Sequence, residues 1–243
     1  MCSKIGKPSD SSGNSSSSAE HQPPDTYRCR PCVRYNGSTY PIEKGITVLW
    51  TSYRDDLCAV LRKIDPVQVL SLAGALFAAR EDGHTVFTCG NGGSAANASH
   101  LAQDLSKGTE AWKTGKPLRA ISLCDNVAAI TAWANDVNYG VVFAEQLGNL
   151  ARAGDILIAI SGSGNSENVL SAVWAANHTD LRTWGICGFD GGKLLHLAHR
   201  CIHVPCDDMG MVEAAHSAVF HWLVDELRAR FAGGLSIVDE EGL

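Results

Sequence analysis

The sequence of 243 residues has no surplus of positive charge: 20 lysines and arginines stand against 26 aspartates and glutamates, a formal net charge of −6. That leaves no basic footprint for nucleic acid. No apolar run reaches the roughly 18–20 residues that a membrane-spanning helix needs. The polar, serine-rich beginning lacks the apolar centre of a secretory signal. These absences predict a soluble, cytoplasmic protein with neither a nucleic-acid nor a membrane partner. The nine cysteines are scattered, and an odd number without an export signal predicts reduced thiols. Only Cys29 and Cys32 form a C-x-x-C pair. No second pair follows at the spacing of a structural zinc site, so ordinary thiols are expected there. No repeat of solenoid period is present. Neither a Walker lysine nor a G-x-G-x-x-G follows the first strand, which disfavours a nucleotide.

What is present suits one medium α/β domain with appendages. Hydrophobic residues make up 45% of the chain, enough for a substantial core. Residues 1–25 are rich in Ser, Gly and Pro and predict a disordered tail. Residues 26–48 read as an irregular bridge, and 49–235 as the folded domain. Two helices lead, the second opening at Asp65-Pro66 (a cap, then proline in the first turn) and stopping at Gly83. From there short apolar strands alternate with helices. "HTVFTCGNGG" runs into a helix over about 94–107, "LRAISLC" into "NVAAITAWAND", and the helix "YGVVFAEQLGNLA" precedes the strand "DILIAI". "RTWGICGF", "RCIHVPC" and a long closing helix complete the pattern. Such alternation means parallel strands in a doubly wound sheet.

Ligands of open α/β sheets bind beyond the carboxyl ends of strands, near the switch in strand order. Two loops here carry suitable chemistry. One is Asn91-Gly92-Gly93-Ser94. The other is Ser161-Gly162-Ser163-Gly164-Asn165-Ser166, which follows an apolar strand and opens a helix. Hydroxyls and backbone N–H groups at a helix N-terminus suit a compact monophosphate, although Ser and Gly also build plain turns and caps. His100 and Asp104 are four apart and share a helix face. Glu213 and His221 are eight apart on the last helix, about 80° around it. These two imidazoles and two carboxylates suit a divalent ion, or a general acid and base. His216 lies some 140° from His221 and is set apart from them.

In order, "CGNGGS…H…D", "ND", "SGSGNSENV", "DGGK" and "E…H" resemble the sugar isomerase (SIS) domain, and within it the sedoheptulose 7-phosphate isomerase branch. The resemblance covers about residues 50–230. It implies a five-stranded parallel sheet flanked by helices, and a homotetramer with active sites at subunit interfaces. It also implies zinc, or another divalent metal, and metal-assisted interconversion of a C7 or C8 ketose phosphate and its aldose phosphate through an enediol. By position, Asn91, Gly92, Gly93, Ser94, Asn135, Asp136 and Glu213 would contact substrate. Ser161, Gly162, Ser163 and Ser166 would hold its phosphate. His100, Asp104, Glu213 and His221 would hold the metal, with Asp104 and His221 the acid–base pair. The family usually carries glutamate at 104, glutamine at 213 and "STSGNS" in the phosphate loop, so three positions depart from it. The competing expectation is a non-catalytic SIS domain that binds a sugar phosphate or bridges partners.

Overall fold

The computed structural model describes residues 48–233. The expected tail, the bridge up to residue 47 and the Cys29/Cys32 pair lie outside them. The leading helices are α1, Trp50–Leu61, and α2, Pro66–Asp82. Asp65 caps α2 by accepting from the Val67 N–H at 2.9 Å, and Gly83 ends it with φ +77°. A left-handed residue after a helix suits glycine because no Cβ meets the carbonyl. There follow β1 (Thr85–Cys89), α3 (Gly93–Gln103), β2 (Arg119–Ser122), α4 (Val127–Asp136), α5 (Val142–Leu150), β3 (Ile156–Ser161) and α6 (Glu167–Asn177). Next come β4 (Arg182–Cys187), α7 (Leu194–Leu197), β5 (Arg200–His203) and α8 (Met209–Phe231).

The five strands are all parallel, in the order β2-β1-β3-β4-β5. Val86 pairs with Ile156 and Ile158 with Trp184. Strand β3 shows why the strands read as unbroken apolar runs, for every residue of it is buried. Side chains alternate between faces. Ile156, Ile158 and Ile160 therefore join Leu72, Leu76, Leu101 and Leu223 of α2, α3 and α8. Leu157 and Ala159 join Phe143, Leu147, Val169 and Val173 of α5 and α6 on the other side. Each such aliphatic or aromatic side chain contributes roughly 1.5–3 kcal/mol by leaving water. With both faces covered, the strands have no polar side to alternate.

Three local features depart from the pattern of the sequence. The helix expected over 94–107 stops being α-helical at Gln103 and continues as a π turn, Asp104–Gly108, in which the Thr109 N–H reaches back to the Asp104 carbonyl at 3.1 Å. A 3₁₀ turn, Ala111–Thr114, follows, and another, Tyr139–Val141, opens what reads as one helix before β3. Helix α4, though apolar in sequence, has no buried residue, and Val127 and Val137 are exposed. Helix α1 buries only Val60 and leaves Trp50 in solvent. Among the described residues no helix is long and apolar enough to cross a membrane.

Candidate active site

The strand order places β1 beside β3 although β2 lies between them in sequence. The loops leaving these two neighbours therefore flank the crevice at the order switch, where open α/β sheets receive ligands. A cleft of about 290 Å³ opens there, lined by Asn91, Gly92, Gly93 and Ser94 from one loop and Ser161, Gly162, Ser163 and Ser166 from the other. Met209 and Glu213 of α8 close it. The N-cap positions of α3 (Gly92) and α6 (Ser166) have no side-chain capping bond. Two helix N-termini thus turn first-turn N–H groups and positive dipole ends toward one small cleft.

The serine loop is held from behind. The Gly164 N–H donates to the Ser161 carbonyl at 2.9 Å, and the Ser161 and Ser166 hydroxyls lie 3.1 Å apart. The Lys193 N–H donates to Asn165 Oδ1 at 3.2 Å and the Leu194 N–H to the Gly164 carbonyl at 2.9 Å. Gly164 has φ +65°, and a Cβ there would run into the Gly191 backbone. The "DGGK" segment therefore acts as a buttress: its glycines let the turn pack directly against the serine loop. On the cleft side Met209 occupies the space that a Cβ on Gly162 would take. The hydroxyl missing at 162 is thus replaced by a thioether from α8.

Helices α3 and α8 lie side by side and run in the same direction. Glu213 faces Gly93, and the Ser217 hydroxyl donates to Asn97 Oδ1 at 2.8 Å. Further along, Arg228 Nε donates to the Gly108 carbonyl at 2.9 Å. Between these contacts His100, Asp104 and His221 meet. His100 Nε2 is 3.3 Å and His221 Nδ1 3.7 Å from Asp104 Oδ2, and the imidazole centroids are 5.0 Å apart, edge to face. One ligating atom from each lies within 4.8 Å of the other two. Around a tetrahedral zinc with bonds of about 2.1 Å, neighbouring ligands stand roughly 3.4 Å apart. The separations of 3.3 and 3.7 Å from Asp104 Oδ2 fit that spacing, so His100, Asp104 and His221 could hold such an ion. The π turn begins at Asp104, and such turns are frequent at functional positions.

Not every expected residue comes to this place. Glu213, expected among the metal ligands, stands outside the group of three. Eight residues from His221 correspond to about 12 Å along a helix axis, and its carboxylate sits over Gly93 at the floor of the cleft. Asn135 and Asp136 end α4, bond to each other at 2.8 Å and are exposed, away from the cleft lining. Residues that the sequence did not single out take part instead. Met209 lines the cleft, and Asn168 and Tyr139 hold Asn91. Asn168 carried no signal of its own, because an amide in the first turn of a helix looks like an ordinary surface choice.

Burial sets the protonation of the groups behind the cleft. His216 is fully buried; desolvation pushes its pKa down to about 4, against the opposing effect of a 3.3 Å hydrogen bond to the Cys187 carbonyl. Its Nε2 therefore carries the proton, and Nδ1 is buried without a partner. Burial also pushes up the Cys89 and Cys124 thiols, and the neighbouring Cys201 thiol and burial push up that of Cys187. Thiols held in that direction are poor nucleophiles. Cys58, Cys89, Cys124, Cys187 and Cys201 are free thiols.

The SIS domain family matches residues 52–188, and the chain belongs to it. Within that family it is a homologue of phosphoheptose isomerases. It is 41% identical over 147 residues to the phosphoheptose isomerase of Helicobacter pylori, covering 60% of this chain and 76% of that one. To the phosphoheptose isomerase of Rhodospirillum rubrum it is 38% identical over 155 residues, covering 64% and 81%. The structure of a phosphoheptose isomerase from Francisella tularensis superposes with a TM-score of 0.68 at 31% identity, over 74% of this chain and 96% of that one.

Proposed function

We propose that residues 49–235 form an aldose–ketose isomerase domain acting on a sugar phosphate, with sedoheptulose 7-phosphate or a related C7 or C8 ketose phosphate as substrate. One observation carries this reading. An anion cleft and a His-Asp-His group lie along the same pair of parallel helices. Seven residues of α3, about 10 Å by the helical rise, separate Gly93 at the cleft from His100. A phosphate gripped at one end leaves the other end of an extended sugar chain beside the group.

The chemistry needs a base over a C–H, an acid for the neighbouring oxygen, and stabilisation of charge on the developing enediol. Asp104 takes the proton from carbon and returns it to the adjacent carbon. His221 serves the oxygen. Ser161, Ser163 and Ser166 anchor the phosphate far from the reacting carbons and contribute orientation. A divalent ion held by His100, Asp104 and His221, with zinc favoured by two nitrogens and one carboxylate, would polarise the carbonyl and hydroxyl oxygens. Glu213 remains at the cleft as a substrate contact. The exposed apolar surface of α4, with Asn135 and Asp136 at its end, and the exposed start of α1 are surfaces for a homotetramer in which a second subunit completes each site.

The test is a panel of ketose phosphates incubated with the protein, with products followed by NMR. Aldose phosphate formed from a C7 or C8 substrate, lost on chelation and regained with zinc, supports the reading. Absence of turnover across the panel from protein with its metal intact overturns it and leaves a sugar-phosphate-binding SIS domain.

A further inference from the structure

The Asn91 side chain lies in a closed network whose orientation one backbone group decides. Asn168, the second residue of α6, is buried, and its Oδ1 accepts from the Val169 N–H at 3.0 Å. A backbone N–H can only donate, so the atom facing it is oxygen. The Asn168 nitrogen is then the atom that faces Asn91, donating to Asn91 Oδ1 at 2.9 Å, while Asn91 Nδ2 donates to Asn168 Oδ1 at 2.8 Å. The Tyr139 hydroxyl donates to the same Asn91 Oδ1 at 2.9 Å. That oxygen has two lone pairs and both are used. Asn91 Nδ2 has two hydrogens and the network uses one.

We infer that Asn168 and Tyr139 are positioning residues that fix Asn91 so that it meets the ligand as a hydrogen-bond donor and never as an acceptor. The reading rests on the sugar-phosphate function proposed above, and it narrows what that cleft accepts. The group opposite Asn91 must be an oxygen with a free lone pair: a carbonyl, hydroxyl or phosphoryl oxygen. A ligand that offers only an N–H or ammonium at that point leaves two donors face to face and is rejected. The network also joins the loop after β1 to the first turn after β3, residues 77 apart in sequence. The two halves of the cleft are thereby held as one unit.

Asn168→Asp keeps the size and the acceptor for Val169 and replaces the donor toward Asn91 by a carboxylate oxygen. Asn91 Oδ1 then faces a carboxylate oxygen, and turning the amide over sets it against the other one, so neither orientation is held and the donor toward the cleft is no longer fixed. With sedoheptulose 7-phosphate as probe, kcat/KM should fall roughly 10–100-fold, as for a charge-bearing ligand denied its donor, with the loss in KM. Tyr139→Phe, at an exposed position, should cost roughly 2–10-fold in the same parameter. In an Asn91→Ala background both losses should shrink. Unchanged kinetics in both variants, or the same loss with and without Asn91, overturns the proposal. Should the wild-type protein not isomerise the probe, the function proposed above fails while the orientation is still decided by the Asn91 side-chain amide in ¹⁵N spectra. One of its protons must exchange slowly and the other fast, and the difference must shrink in Asn168→Asp and in Tyr139→Phe. Two equally fast protons in the wild type overturn it, as does a wild-type pattern kept by both variants.

Discussion

The anion cleft and the His-Asp-His group share two helices but are built in opposite ways. The cleft is made of backbone, hydroxyls and amides that are bonded to one another and braced from behind, and it contains buried members such as Ser94, Ser161 and Asn168. The group is three side chains on the rim, with His100 and His221 about half exposed (49% and 59%). Its geometry is set by the packing of α3 on α8 and by nothing closer. The cleft is therefore over-determined, whereas the function proposed above leaves the reacting end for an ion, a substrate and a neighbouring subunit to complete.

The sharpest way to break that contrast is at Asp104. Asp104→Asn keeps the shape and removes the charge, and kcat should fall by roughly 10²–10⁴, the range for a positioned acid or base. Metal content measured alongside separates lost chemistry from lost ion, and inorganic phosphate should still bind as in the wild type. An unchanged kcat with the metal in place would falsify the role given to Asp104. Next in size is a stability effect at His216, which stands on α8 between the two ends. Its folded pKa of about 4 lies below the ordinary 6.5. The unfolded chain therefore takes up a proton between those values that the folded one refuses, and stability falls as the pH drops through that window. The loss amounts to about 3 kcal/mol by pH 4, at 1.36 kcal/mol per unit. Denaturant melts from pH 7 to pH 4 should show it, and His216→Gln should flatten that limb.

Smaller effects belong to the cleft. Ser163→Ala and Ser166→Ala should each raise KM for the sugar phosphate by about 1–2 kcal/mol, the worth of one hydrogen bond to a charged group. If the cleft is as redundantly braced as its bonds suggest, kcat should hardly move. Both mutants keeping the wild-type KM would remove the phosphate from this loop. At the bottom of the scale, deleting residues 1–25 should change neither kcat nor the assembly seen by light scattering, about four chains. A deletion that lowers either would give those residues a part in the site.

Much of this could be read from the sequence wherever one-dimensional signals suffice. Asp65-Pro66 and Gly83 mark α2 because capping and left-handed turns are local events. The apolar runs of β1, β3 and β4 mark a sheet covered on both faces. The loops after β1 and β3 follow from the rule for the order switch. The remainder depends on distances that no local pattern contains. On a helical wheel Glu213 and His221 differ by a modest angle, but the wheel hides the axial rise that carries Glu213 to the cleft instead. Asn168 and Tyr139 matter only because the fold brings them to Asn91. The π turn at Asp104 needs the packing of α8 to stabilise its extra residue, so the helix reads as continuous to Lys107. Apolar α4 looks like core until the described chain is seen to cover one side of it, with Ile130, Trp133 and Ala134 half-buried and none of its residues fully buried.

The parallel seam between α3 and α8 has a consequence for how the protein comes to life. Asn97 meets Ser217, and Gly108 meets Arg228, across 120 residues of chain. Loops of that size close late, because their entropy must be met before the contacts they bring can repay it. The strands join neighbours 16 to 70 residues apart. The sheet and the serine loop can assemble while α8 is still free. Glu213 and His221 arrive together when α8 docks. Met209 and Glu213 close the cleft and His221 joins the group only with that docking, so binding and chemistry mature together.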